Sequence, residues 1–198
     1  MYEIEEDDSI HELCEKVFDT TISEILNVRS QIDQNILENA IETLVNATRV
    51  EFYAFGGSAP VAMDGQHKFF RLKISSSYIS DPHLQFMSAN SLGKDDVVVA
   101  ISQSGTTAAL IESIKIVRKN GAKVIGIMPG DTPLANICDF PLTINVGSNN
   151  RISKPVTSRI AYTAVIDVLT MGVAQLKPEA QDHLYNIADS QRSLKVDN

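Results

Sequence analysis

The fold of this chain follows from the stretch Asp96-Val97-Val98-Val99-Ala100-Ile101-Ser102-Gln103-Ser104-Gly105-Thr106-Thr107. Its first six residues form an apolar run that predicts a buried strand, and an amphipathic run that predicts a helix begins at Ala108. Four hydroxyl residues and one glycine lie in the turn between them. Because the start of a helix has unpaired N–H groups and partial positive charge, this turn predicts a seat for a phosphate group.

A simpler interpretation is that Ser104 or Thr106 is only a helix N-cap and that Gly105 only eases the turn. An ordinary cap needs one such residue, whereas six consecutive small or polar residues stand here. The chain has no Walker-type Gly-Lys-Ser/Thr, and Gly56-Gly57-Ser58 lacks the spacing of the dinucleotide fingerprint, which disfavours nucleoside triphosphates and NAD. We therefore expect the whole turn to bind a phosphorylated small molecule, through Ser102, Gln103, Ser104, Gly105, Thr106 and Thr107.

Apolar strands alternate with helices on both sides of this turn. The pattern predicts five strands, at 50–55, 74–79, 96–101, 123–128 and 141–146. Such alternation indicates an α/β fold, with a doubly wound, five-stranded parallel sheet between two helical layers. A leader helix from Ile10 to Val28, a helix capped by Asp33, a short helix started by Pro133, a long apolar helix over 156–174 and a last helix opened by Pro178 complete the prediction.

Three loops are expected to meet beyond the carboxyl ends of the strands, where an open parallel sheet collects ligands. They are residues 56–58, 102–107 and 147–157. The two glycines before Ser58 let the backbone approach a ligand, so Gly57 and Ser58 are candidate ligand-binding residues, although Ser58 would also suit as a cap for the next helix. Lys154 is a further candidate for contact with a phosphate or a sugar acid, although an exposed lysine is more often merely solvated.

Composition excludes several functional classes. The formal net charge is -8 and the pI is about 4.9, so the chain by itself should repel the phosphate backbone of nucleic acid. No secretory signal is visible and no apolar run approaches the ~18 residues of a membrane span, so we expect no membrane contact and a cytoplasmic protein. Residues 10–198 are expected to form one domain after a frayed acidic linker at 1–9.

Cysteines and histidines carry little chemistry in this chain. Cys14 and Cys138 are isolated in apolar surroundings, and we expect both to be reduced and buried. The four histidines are scattered without the spacing of a helical zinc site, so we predict no metal and no cofactor. Only His67 follows a candidate loop, and a role on the helix surface is favoured for it.

The turn at 102–107 resembles the phosphate loop of the SIS (sugar isomerase) domain family, and Phe55-Gly56-Gly57-Ser58 is similar to that family's first loop. Within the family the chain most resembles the effector domain of RpiR-type transcription regulators, particularly their HexR-like group. This closer resemblance lies in residues 64–71, 83–88, 158–161 and 165–169. It implies a five-stranded parallel sheet, a homodimer and a sugar phosphate as effector, which in the HexR-like group is 2-keto-3-deoxy-6-phosphogluconate.

Two departures from the family shape the functional expectation. The helix-turn-helix domain of RpiR-type regulators is absent, and residues 5–9 resemble their interdomain linker, which favours an effector-domain fragment that reaches DNA only through such a domain. Ser153 stands near the position of the catalytic glutamate in a related synthase, and loop 147–157 has no carboxylate, so we expect a sensor without catalytic residues. A free-standing sugar-phosphate isomerase and a purely structural dimerisation module remain as alternatives.

Overall fold

The structure is a computed structural model that describes residues 5, 7–146 and 154–192, without the side chains at 154–157, 188, 191 and 192. Five strands form one sheet in the order β2-β1-β3-β4-β5, and all neighbouring strands are parallel. The strands are β1 (Arg49–Tyr53), β2 (Ser76–Ile79), β3 (Asp96–Ile101), β4 (Lys123–Met128) and β5 (Phe140–Thr143). The α/β fold with a five-stranded parallel sheet is therefore confirmed.

Seven α-helices are described, together with two 3-10 turns at Gly56–Ser58 and Ala135–Ile137. The helices are α1 (Ile10–Gln31), α2 (Gln34–Val45), α3 (Ala59–Arg71), α4 (Pro82–Ser91), α5 (Ala108–Lys119), α6 (Lys154–Leu176) and α7 (Pro178–Arg192). Asp33 caps α2 through its side chain, as predicted. The short helix predicted to start at Pro133 is instead the 3-10 turn Ala135–Ile137, a form common in short connectors.

The period-two alternation of strand side chains explains why β3 is apolar from Val97 to Ile101. Val97, Val99 and Ile101 point into the core under α2, α3 and α6, whereas Val98 and Ala100 point into the core under α4 and α5. Asp96 at its start is the one polar residue of β3, and both faces of the strand are covered from Val97 onward. This is the arrangement that a doubly wound sheet requires.

The helix α1 lies on α6, but its contacts differ from those expected. Val28 is buried as predicted, whereas Ile10 is 82% exposed and Cys14 is exposed. The prediction that both cysteines are buried is therefore wrong for Cys14. The buried face of α1 consists of Thr20, Glu24 and Val28 instead. Cys138 is partly buried and follows a 3-10 turn.

The start of α1 is also more ordered than a frayed linker would be. Ser9 and Glu12 form a capping box, in which the Ser9 N–H donates to Glu12 Oε2 at 2.9 Å. Asp8 accepts a hydrogen bond from Lys16 Nζ at 2.6 Å. Residues 1–4 and 6 lie outside the described part, so the division into linker and domain stays a prediction.

One expectation from composition is wrong. The stretch Ser158–Leu176 is long and apolar enough to qualify as a membrane span by length and composition, with a mean hydropathy of 1.2. This stretch is interrupted by Arg159, Thr163, Asp167 and Thr170, so the sequence shows no continuous apolar run of that length. Tyr162, Ile166 and Leu169 on it are buried in the core under the sheet, as in the central helix of many α/β domains.

Candidate functional site

The strand order places a topological switch point between β1 and β3. The connection after β1 leads into α3 on one face of the sheet, and the connection after β3 leads into α5 on the other face. Ligands of open α/β sheets bind in the crevice that such diverging connections leave open beyond the carboxyl ends of the strands. Loops 56–58 and 102–107 flank this crevice.

Loop 102–107 is held in shape by hydrogen bonds of its own. The Ser102 N–H donates to the Ile127 carbonyl at 3.0 Å, and the Ser102 Oγ accepts the Gly105 N–H at 3.0 Å. Ser104 Oγ accepts the Thr106 N–H at 3.3 Å. Ser102 is only 4% exposed. Its hydroxyl thus shapes the loop from below, while the side chains of Ser104 and Thr106 are exposed.

Gly105 has a backbone conformation and surroundings that only glycine fits. Its φ of +64° is in the left-handed region, and a Cβ at this position would lie 2.3 Å from Thr132 Oγ1. The Gly105 carbonyl accepts the Leu134 N–H at 3.1 Å. A side chain at Gly105 would therefore push the loop away from the segment after β4, so both the backbone angle and the packing require glycine here.

The helix α5 begins without a side-chain cap. Thr107 is its N-cap residue, yet no side chain caps the helix, and the first turn carries no acidic residue. The simple interpretation of Ser104 and Thr106 as ordinary caps is therefore not realised, because the serine bonds within the loop instead. The amides that open α5 keep their capacity to bind an anion.

The first loop approaches the second at Gly57. A Cβ added to Gly57 would lie 3.6 Å from Gln103 Oε1, so the two loops are neighbours. Gly56 adopts a φ of +52°, and Ser58 is buried, with 5% exposure. Ser58 occupies the N-cap position of α3 but makes no side-chain cap bond. Its alternative role as a cap is not realised either.

Gln103 also contacts helix α6. Its Nε2 donates to Ser158 Oγ of α6 at 3.0 Å. A cleft of about 110 Å³ opens here, lined by Gln103, Pro129, Asn145, Val146, Ser158 and Tyr162. None of these residues carries a formal charge, and burial raises the pKa of the Tyr162 hydroxyl above its ordinary value, which keeps it neutral.

Sequence reasoning did not assign Asn145, Ser158 or Tyr162 to the site. Ser158 had a signal, because it is a polar residue in the most apolar helix of the chain. Residues 147–153 and the side chain of Lys154 lie outside the described part of the chain, so the structure brings together two of the three predicted loops. His67 and His83 are exposed, and no cluster of metal-ligating residues occurs among the described residues.

Three larger depressions lie away from the switch point, and the smallest of them, of about 200 Å³, lies between α3, α6 and α7. One of about 340 Å³ is at the amino ends of β3, β4 and β5 beside Lys94 and Lys123, and one of about 480 Å³ runs along β2 and α4. The side chains of the depression beside Lys94 and Lys123 bond mainly to their own helix, such as Thr43 Oγ1 to the Asn39 carbonyl at 2.7 Å. Convergent loops, rather than volume, identify the candidate site.

Comparison with known proteins agrees with this geometry. The model of the SIS domain family matches residues 43–172. The HTH-type transcriptional regulator HexR of Pseudomonas aeruginosa is 35% identical over 188 residues, which are 94% of this chain and 66% of the relative. HexR of Escherichia coli is 33% identical over 195 residues, 98% of this chain and 68% of the relative. The chain thus spans about two thirds of the length of these regulators.

A solved structure shares the fold. The Vibrio vulnificus NanR protein complexed with ManNAc-6P superposes with a TM-score of 0.84 over 93% of this chain and 70% of NanR, at 20% sequence identity. At that identity the likeness concerns the fold alone. The family match and the two HexR relatives settle the assignment, and the chain belongs to the SIS domain family as a relative of the HexR-type transcriptional regulators.

Proposed function

We propose that this chain is the effector domain of a HexR-type regulator of carbohydrate metabolism and that it binds a sugar phosphate at the switch point. The observation that carries this proposal is the internally bonded loop 102–107, which opens onto an uncapped helix start and an uncharged cleft. A phosphate would be held mainly by backbone N–H groups and hydroxyls. The sugar would extend towards Gln103 and Ser158.

The predicted ligand-binding residues are proposed to take four different roles. Ser104, Thr106 and the amides from Gly105 to Thr107 are proposed to contact the phosphate, because they lie at the open end of α5. Ser102 is proposed to hold the loop in its binding shape. Gly57 and Ser58 would close the crevice from the β1 side, and Lys154 remains a proposed charge partner for the ligand.

The ligand class follows from the loop and the relatives together. NanR, which shares the fold, is complexed with ManNAc-6P, a sugar phosphate. The resemblance to the HexR-like group favours 2-keto-3-deoxy-6-phosphogluconate, a phosphorylated sugar acid. Its carboxylate would need hydrogen-bond donors, and the Gln103 amide, which lines the cleft, is the proposed one.

A homodimer in the cytoplasm is part of the proposal. Exposed apolar side chains follow one face of α1 at Phe18, Ile22 and Leu26, and others lie on α6 at Val168 and Met171. Since α1 packs on α6, these residues offer apolar surface for a second copy. DNA would be contacted only by a separate helix-turn-helix domain, because this chain carries a net charge of -8.

The test is a thermal-shift and calorimetric screen of sugar phosphates, with inorganic phosphate and unphosphorylated sugars as controls. A ligand at ~100 times its dissociation constant should add about 2.7 kcal/mol of stability. Ser104→Asp should weaken binding at least about tenfold through charge repulsion. Ser75→Asp is the matched control. Ser75 is exposed and directly precedes β2, and its carbonyl accepts the Val50 N–H at the amino ends of the strands, away from the site.

Three outcomes of this screen distinguish the possible functions of the chain. A selective shift without conversion of the ligand supports a sensor. Conversion of an aldose phosphate into a ketose phosphate would move the chain to the isomerases, which share this fold family. No shift with any sugar phosphate, or equal binding by the Ser104→Asp variant, would refute the proposed site.

A further inference from the structure

Two side chains of α1 form hydrogen bonds with the backbone of Asn145. The Asn145 N–H donates to Gln31 Oε1 at 2.7 Å, and Gln31 Nε2 donates to the Asn145 carbonyl at 3.0 Å. Asn27 Nδ2 donates to the same carbonyl at 3.1 Å. The Gln31 amide thus pairs with both polar groups of one peptide residue, as a neighbouring strand would. We call these three hydrogen bonds the α1 clamp.

The residue that is clamped also belongs to the candidate site. Asn145 lines the cleft with Gln103 and Ser158, and its Oδ1 accepts the Gly130 N–H at 3.3 Å. It therefore joins the segments that follow β4 and β5. Any movement of Asn145 that accompanies ligand binding must either carry the end of α1 with it or break the clamp.

We propose that Gln31 and Asn27 are positioning residues of the ligand site, through which ligand binding and the placement of α1 are coupled. This inference rests on the proposed function, because it concerns the same cleft. Coupling of this kind is reciprocal: a change in α1 that alters the affinity for ligand implies that the ligand alters α1 by the same factor. If residues 1–9 are the linker predicted from the sequence, α1 is the element that connects the site to it.

The geometry of α1 suits this role. Thr20, Glu24 and Val28 are the buried residues of this helix, and Gln31 lies beyond the last of them, so the very end of the last turn is the part of α1 that can shift. The clamp bonds are exposed at this turn and are individually weak. A weak, two-sided contact can be altered by ligand binding, whereas a buried one would resist.

The first measurement is amide hydrogen exchange in the ligand-free protein. Gln31→Ala removes the acceptor of the Asn145 N–H and should speed its exchange at least about tenfold. Gln31→Glu keeps an acceptor, so that amide should stay protected although the donor to the carbonyl is lost. Ser30→Ala is the matched control, because Ser30 is exposed one residue away and its hydroxyl donates to the Asn27 carbonyl rather than to Asn145.

The second measurement is binding of 2-keto-3-deoxy-6-phosphogluconate and N-acetylmannosamine 6-phosphate by calorimetry. Gln31→Ala should weaken binding of the probe that the wild-type protein binds by about three- to tenfold, with the Ser30→Ala variant unchanged. The probe should also alter exchange across the last two turns of α1 in the wild-type protein but not in Gln31→Ala. Equal affinity of the two variants would overturn the coupling.

A third measurement, made without ligand, tests this inference separately from the proposed function. Gln103→Ala, which breaks the bond to Ser158 inside the cleft, should raise exchange in the last turn of α1 at least about twofold without any ligand. An unchanged α1 would overturn the coupling even if probes bind. Failure of both probes to bind the wild-type protein would refute the proposed function, while this third measurement would still decide the coupling.

Discussion

Replacing Gly105 with alanine should destabilise the protein by about 2–5 kcal/mol, the sum of two separate costs. The φ of +64° costs a residue with a Cβ about 1–2 kcal/mol. The new methyl group would also lie 2.3–2.7 Å from three side-chain atoms of Thr132, and relief of such overpacking costs about 1–3 kcal/mol. Thr132 is poorly able to yield, because its hydroxyl donates to the Pro129 carbonyl at 3.0 Å.

Two other glycines allow the two costs to be separated. Gly56 has a φ of +52° but open space around an added Cβ, so Gly56→Ala should show the backbone cost alone, about 1–2 kcal/mol. Gly93 has neither a positive φ nor a neighbour within 4 Å, so Gly93→Ala should change stability by no more than about 0.5 kcal/mol.

Urea denaturation followed by circular dichroism gives the free energy of unfolding for all three variants. The expected order of destabilisation is Gly105→Ala, then Gly56→Ala, then Gly93→Ala. The reasoning is refuted if Gly105→Ala costs no more than Gly56→Ala, because the contact with Thr132 would then not constrain loop 102–107. Sugar-phosphate binding should also fall most in Gly105→Ala, since its loop must move.

Two further predictions concern buried polar groups. Burial raises the pKa of the Cys138 thiol from 9.0 to about 12, so the unfolded chain loses this proton first and the free energy of unfolding should fall as the pH rises from 9 towards 12, by at most about 1.4 kcal/mol per unit. Urea titrations at pH 8, 9 and 10 should show a flatter decline for Cys138→Ala, and an equal decline would contradict the assignment. The Glu51 carboxylate, 2% exposed, accepts the hydroxyl groups of Tyr53 at 2.8 Å and Ser88 at 2.5 Å, so Glu51→Leu leaves two hydroxyls without their acceptor and should cost about 2–4 kcal/mol. Glu51→Gln should cost less in the same thermal-unfolding assay, and a neutral Glu51→Leu would show that the two hydroxyls find other partners.

Local patterns carried most of the fold prediction. The apolar run of β3, the hydroxyl-rich turn and the start of α5 are contiguous, so one stretch of sequence specified a strand, a loop and a helix in the order found. The Asp33 cap of α2 is an equally local signal. Strand ends were less accurate: β1 ends at Tyr53 rather than Phe55, because loop backbone follows the last ladder pair.

Contacts between distant segments could not be predicted in the same way. Gln31 is separated from Asn145 by 114 residues, and nothing in the polar end of a helix signals which backbone its amide will bond. Tyr162 lies within an apolar helix, where its position predicts only burial. The error at Cys14 has a similar cause, since the apolar residues of α1 fit more than one helix face and only the packing on α6 selects the buried one.

The chemistry of the cleft favours a sensor over an isomerase for a physical reason. Aldose–ketose isomerisation needs a base that moves a proton between adjacent carbons. The six residues that line the cleft have no carboxylate and no imidazole, and the raised pKa of Tyr162 makes its hydroxyl a hydrogen-bonding group rather than a base. Residues 147–157 likewise contain no aspartate, glutamate or histidine. Under the proposed function such a site would bind a sugar phosphate, and its occupancy would follow the ligand concentration, which is what a regulator must measure.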